Sequence, residues 1–210
     1  MSTYAQSTQR HRCDECGHEM AMPLFCDGCG VDYPERRRMS PFGVLGLTQT
    51  FDLADDDLDR IETLLAQRLH PDRWQARGDR LHRKALLAQA AANEALAAVR
   101  DPWARGDTLL GLQSEIDDLP RTQLPTAFLV EQLELQEEVD DELAPARKRE
   151  LTREVRAALK ALRDDLAEAF AVLEVGEDRI AAMSRARELV DRSRYWRNVQ
   201  AALRGRSAPH

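Results

Sequence analysis

Pro71 separates two apolar helical repeats, and that break limits the folds open to this chain more than any other feature. Ahead of it, Leu58, Ile61, Leu65 and Leu69 recur at helical spacing. Beyond it, Leu81, Ala85, Ala88, Ala92, Leu96 and Val99 do the same. Proline has no N–H to donate and disfavours helical backbone at the preceding residue, so the first helix stops at about His70. Lying antiparallel, the two helices can put their apolar faces together. His70, Pro71 and Asp72 then sit at the tip of the turn, where an imidazole and a carboxylate are contact groups and not core. Gly78-Asp79 closes the exposed loop, and Asp101-Pro102 ends the second helix.

Upstream, Ser40-Pro41 reads as an N-cap with proline at the first helical position, opening a short helix through Leu47. Asp55, Asp56 and Asp57 favour the N-terminal turn of the helix that leads to the tripeptide. His-Pro-Asp between antiparallel helices, preceded by Pro41-Phe42-Gly43-Val44-Leu45-Gly46-Leu47, resembles a J-domain. J-domains are the parts of DnaJ-type co-chaperones that stimulate the ATPase of DnaK-class chaperones. The bare tripeptide arises by composition in roughly one chain per hundred of this length. Its flanking periods and the Phe-x-x-Leu-Gly-Leu carry the likeness.

All four cysteines precede residue 30, as Cys13-Asp14-Glu15-Cys16-Gly17 and Cys26-Asp27-Gly28-Cys29-Gly30. Two intervening residues let both thiolates of a turn face one ion, and the glycine lets the backbone take a positive φ. Two such knuckles supply the closed tetrahedral set of a structural zinc site, one ion per chain. Iron fits the same sulfur set. His18 is read as a bystander. A redox pair would need a thioredoxin-like βαβ context, which the sequence lacks. Residues 1–12 read as a loose polar tail. Residues 31–39, with Pro34 and Arg36, Arg37 and Arg38, read as a charged, solvated hinge.

A net charge of −7 argues against nucleic acid as a partner. No apolar run approaches the ~20 residues of a membrane span, and no apolar leader is seen, so a cytoplasmic location is expected. Clustered cysteines in such a reducing compartment point to metal and not to disulfides. A hydrolase lacks support, because four thiolates leave the metal no open position and no acid–base group lies nearby. No catalytic residue is assigned.

Trp103 to Leu112 reads as one further short helix. After Pro120 and Pro125, three helices follow: one capped by Thr126, one from about Pro145 to Val175, and one from about Glu177 to Leu203. The second carries the stripe Leu151, Val155, Leu159, Leu162, Leu166, Phe170 and Leu173. Ile180, Met183 and Val190 mark the buried side of the third. Short connections imply an antiparallel bundle.

Projected at ~100° per residue, the Thr126 helix has two faces. Phe128, Leu135, Val139 and Leu143 share one, which packs in the bundle. Leu129, Val130 and Leu133 lie opposite, continued by Glu134, Glu137 and Asp141. A bundle helix needs one buried stripe. A second stripe, apolar at one end and acidic at the other, suits docking of a partly basic partner. It is equally open to being covered by the J-like region or the linker.

Phe128 to Asp141 resembles the most distinctive segment of the HscB family, the J-type co-chaperones of iron–sulfur cluster assembly. Asn93-Glu94-Ala95 through Leu112 and the order of J-domain then three-helix bundle are similar too. The four-cysteine extension resembles that of eukaryotic and some bacterial members. The resemblance implies that His70, Pro71, Asp72 and Arg68 contact an HscA/DnaK-class chaperone ATPase. It implies that Leu129, Val130, Leu133, Glu134, Glu137, Asp141 and Tyr195 bind an IscU-type iron–sulfur scaffold protein, with no enzymatic activity in the chain itself. The expected fold is mainly α. A zinc-knuckle hairpin and linker (1–39) precede a J-domain (40–112), a linker (113–125), a three-helix bundle (126–205) and a tail (206–210). The alternative is a zinc-knuckle nucleic-acid or protein adaptor with a helical interaction module.

Overall fold

The computed structural model describes residues 11–114, 123–141, 143–176 and 178–205. The expected tail at 206–210, residues 1–10 and most of the 113–125 linker lie outside them. The fold is mainly α-helical with a small N-terminal hairpin, and it falls into two compact units divided between Thr108 and Leu109.

The first unit opens on β1 (His11–Arg12) and β2 (Glu19–Met20), antiparallel, with His11 opposite Met20 and Arg12 opposite Glu19. His11 and Arg12 are thus paired strand and not tail. Residues 31–39 are charged and largely solvated as expected, with Glu35, Arg37 and Arg38 exposed, but they are not an irregular hinge. Pro34–Arg38 forms a 3-10 helix. Its Arg36 stacks 4.0 Å over the buried Tyr33 ring and donates to Asp14 Oδ2 and to the Pro23 carbonyl. A planar guanidinium over an aromatic face holds that segment down.

α1 (Pro41–Leu45) begins as its residues dictate. Ser40 Oγ accepts from the Gly43 N–H, Pro41 stands at the first position, and Gly46 closes the helix at φ 67°. α2 (Asp55–Leu69) has no side-chain cap, so the three aspartates of its first turn supply the favourable charge. α3 (Pro71–Gln75) and α4 (Asp79–Arg100) follow, and α4 packs against α1, α2 and α3. Arg100, at the end of α4, pairs with Asp59 and Glu62 near the start of α2, which fixes the two helices antiparallel. Their seam holds Leu58, Leu65, Leu69, Ala85, Ala92 and Val99. Small alanines on α4 let the helices approach closely.

α5 (Pro102–Ser114) is capped by Asp101 Oδ1, which accepts from the Trp103 N–H. Arg105 is buried, but its guanidinium donates to the Val99 and Phe51 carbonyls at 2.6 Å each.

In the second unit, α6 (Thr126–Asp140), α7 (Pro145–Val175) and α8 (Arg179–Leu203) share one core. Leu151 and Val155 of early α7 meet Val199 and Leu203 of late α8, with Leu135 and Val139 of α6 and Leu143 against them. That pairing makes α7 and α8 antiparallel. Gly176, at φ 82°, ends α7 in the left-handed region that favours glycine. Three local expectations differ. Pro125, not Thr126, holds the cap position of α6. α8 starts at Arg179, two residues later than expected. Ile180 is 64% exposed, because Ala182, Met183, Ala186 and Leu189 are the residues that turn inward. No described helix is long and apolar enough to cross a membrane.

Candidate functional site

The cysteine module repeats one backbone pattern twice. The Cys13 N–H donates to the His18 carbonyl, and the Gly17 N–H returns to the Cys13 carbonyl. Cys26, Gly30 and Val31 do the same. Gly17 and Gly30 take φ of 69° and 84°, which a side chain would strain. The two knuckles bring their sulfurs together: Cys13 to Cys29 at 3.6 Å, Cys16 to Cys26 at 3.7 Å, and all four within 4.8 Å. A tetrahedron of ~2.3 Å metal–sulfur bonds has sulfur–sulfur edges of about 3.8 Å. The donor set therefore fits one tetrahedral ion.

Thiols this close resist ionising together without a cation. At Cys13, hydrogen bonds from Tyr33 Oη and from the backbone of Cys16 and Glu15 overcome burial and bring the thiol down to about 6. Burial pushes Cys26 up to about 12. His18 is not among the clustered donors. Its Nε2 lies 3.2 Å from Asp27 Oδ2 instead.

The tripeptide lies between α2 and α3. His70 is the cap of α3, and its Nδ1 accepts from the Asp72 N–H at 3.3 Å. Pro71 takes the first helical position, and the His70 and Asp72 side chains are exposed. A shallow depression of about 870 Å³ runs along α2 to this point, lined by Asp59, Glu62, Thr63, Gln67, His70 and Arg73 among others. Arg68 points elsewhere: its Nη1 donates to Asp27 Oδ2 at 2.7 Å.

On α6, Phe128 is buried at 7% exposure, whereas Leu129, Val130 and Leu133 are 36%, 49% and 59% exposed. Glu134, Glu137 and Asp141 are exposed as well. Tyr195 of α8 is partly exposed and meets Phe128 edge-on at 5.7 Å between ring centroids. Leu129 and Tyr195 line one depression of about 570 Å³ together with Leu124, Asp191, Arg194 and Asn198.

Sequence reasoning missed several of these residues. Arg192 stacks 4.7 Å over Phe128. Gln132 is buried at 3% exposure, and neither end of its amide finds a partner among the described residues. Its position one turn after Phe128 was the available signal. α3 is absent from the expected elements too, although a candidate cap, proline at the next position and an acid after it form a helix start.

A His-Pro-Asp turn in a helical hairpin, followed by a three-helix bundle whose second acidic–apolar stripe is exposed among the described residues, defines a J-type two-domain protein. Residues 124–204 match the family described as the HSCB C-terminal oligomerisation domain. The chain is 34% identical over 148 residues to the co-chaperone protein HscB homolog of Burkholderia thailandensis, covering 68% of this chain and 82% of that one. It is 33% identical over 153 residues to the homolog of Bordetella avium, covering 70% and 87%. Its fold is similar to the crystal structure of human co-chaperone protein HscB, with a TM-score of 0.72, 21% identity, and 92% and 97% of the two chains covered. The chain belongs to the HscB family.

Proposed function

We propose that this protein is a co-chaperone of iron–sulfur cluster assembly that holds an IscU-type scaffold on its C-terminal bundle. The J hairpin presents that scaffold to an HscA/DnaK-class chaperone and stimulates the chaperone's ATPase. ATP hydrolysis takes place in the partner. Asp72 pairs with a cationic group of the chaperone, and His70, as cap of α3, fixes the loop that carries it. Arg68, still 41% exposed while paired with Asp27, is a further chaperone contact. Leu129, Val130, Leu133 and Tyr195 supply apolar contacts to the scaffold, and Glu134, Glu137 and Asp141 steer it. One molecule carrying both surfaces raises the effective concentration of scaffold at the chaperone.

The observation that carries this reading is the split of α6 into a buried Phe128 and an exposed Leu129, Val130 and Leu133. A helix with a core stripe already satisfied has no structural need of a second one. The relatives' names as co-chaperones support it further. Affinity capture from a bacterial lysate tests it: both a DnaK-class chaperone and an iron–sulfur scaffold should be recovered. Recovery of neither would sink the proposal.

The four thiolates hold one structural zinc ion, a centre closed to substrate. Elemental analysis should find about one zinc per chain. Cys26→Ser should release it and loosen residues 11–33, while the helical circular-dichroism signal stays. Carefully prepared protein free of both zinc and iron would contradict the assignment.

A further inference from the structure

The second knuckle lies against both shoulders of the His-Pro-Asp loop. On the α2 side, Asp27 Oδ2 accepts from Arg68 at 2.7 Å, and Oδ1 accepts from the Ala21 N–H at 3.0 Å. The Asp27 side chain is almost wholly buried there. On the α3 side, the Phe25 ring meets Trp74 edge-on with centroids 4.7 Å apart. Gly30 lies so close that a Cβ would stand 3.0 Å from Trp74 Cζ3 and 2.8 Å from Leu81 Cδ2. Arg77 donates to the Gly28 carbonyl at 3.0 Å, and Lys84 pairs with Asp32.

α3 cannot hold its own shape. It has five residues, far below the length at which a helix is stable by itself, and Trp74 is its one buried side chain. Its order depends on what covers Trp74. α4 packs against one part of α3, and Phe25 and Gly30 meet the indole from the cysteine module. Both belong to the knuckle whose Cys26 and Cys29 sulfurs lie against those of Cys16 and Cys13.

We propose that the cysteine module braces α3 and the His-Pro-Asp loop, with Asp27 and Phe25 as positioning residues that touch no partner themselves. Filling the thiolate centre then sets the loop geometry, and emptying it loosens the loop without removing any chaperone contact. The effect on stimulation rests on the co-chaperone reading above. The effect on the loop does not.

Asp27→Asn separates the two. It keeps the side-chain shape and all four cysteines, and it weakens the grip on Arg68. Hydrogen exchange over residues 66–77 is compared in wild-type protein, in Asp27→Asn with its metal content measured, and in wild type stripped by a chelator under reducing conditions. Exchange there should quicken roughly tenfold or more in both altered forms, with the centre of α4 unchanged. Stimulation of a DnaK-class ATPase by Asp27→Asn should fall several-fold. Arg68→Gln removes the same ion pair from the other side and should give the same exchange result, which keeps the test decisive if Asp27→Asn loses its metal. Unchanged exchange in the variants and the stripped protein would overturn the brace. So would stimulation equal to or above wild type in Asp27→Asn, because then Asp27 merely withholds Arg68 from the chaperone. A wild-type protein that stimulates no chaperone would defeat the co-chaperone reading, and exchange alone would still decide the brace.

Discussion

His70→Gln and Asp72→Asn should each abolish stimulation of the partner ATPase while leaving the thermal melt nearly unchanged. Both side chains are exposed, so neither loses core packing. The structural cost is bounded by one cap. His70 Nδ1 accepts the Asp72 N–H at 3.3 Å, and losing a helix cap costs about 0.5–2 kcal/mol. That is too little to unfold a hairpin sealed by Leu58, Leu65, Leu69 and Val99. Lost stimulation in a well-folded variant is therefore a lost contact at Asp72 and a lost loop cap at His70. Steady-state ATP hydrolysis by the chaperone with each variant is the measurement. Wild-type stimulation by either one would refute the role given to the tip.

The second large effect is a contrast within α6. Phe128→Ala should cost roughly 3–5 kcal/mol of folding, because it empties a buried ring site between Tyr195 and Arg192. Leu129→Ala combined with Leu133→Ala should cost little stability, since both side chains already meet water. The same pair should weaken scaffold binding by several kcal/mol, on the order of what truncated apolar anchors cost at the centre of an interface. Glu137→Lys should act mainly on the association rate at low salt. Melts and calorimetric titrations distinguish these cases. A double leucine variant that melts as badly as Phe128→Ala would return the stripe to the core.

Much of this architecture was legible because helices and zinc knuckles are written locally. The periods of 58–69 and 81–99 place α2 and α4, the Ser40-Pro41 pair starts α1, and Gly176 ends α7. Two Cys-x-x-Cys-Gly repeats announce a four-sulfur cluster before any tertiary contact is known. α3 escapes a periodicity reading because five residues are too few to show one, and Pro71, which stops α2, also starts α3. Ile180 misled because α8 is rich in alanine: its inner face is carried by Ala182 and Ala186, which look neutral in a projection. The docking of the cysteine module on the J hairpin could not be read at all. Asp27 is an unspecified residue inside a knuckle, and its partner Arg68 lies 41 positions away. Spacing places Arg68 beside the tripeptide but does not show that Asp27 pairs with it. Gln132 has no packing rationale in the described residues.

The central property of such a co-chaperone is that one chain couples scaffold to chaperone. The direct measurement is the chaperone's steady-state ATPase rate with this protein, titrated with scaffold. The expected result is a rise on adding the protein and a further rise when scaffold is added at concentrations that do little by themselves. The Leu129→Ala, Leu133→Ala variant should keep the first rise and lose the second. A scaffold-dependent rise of equal size with wild type and variant, or no rise with either, would contradict it.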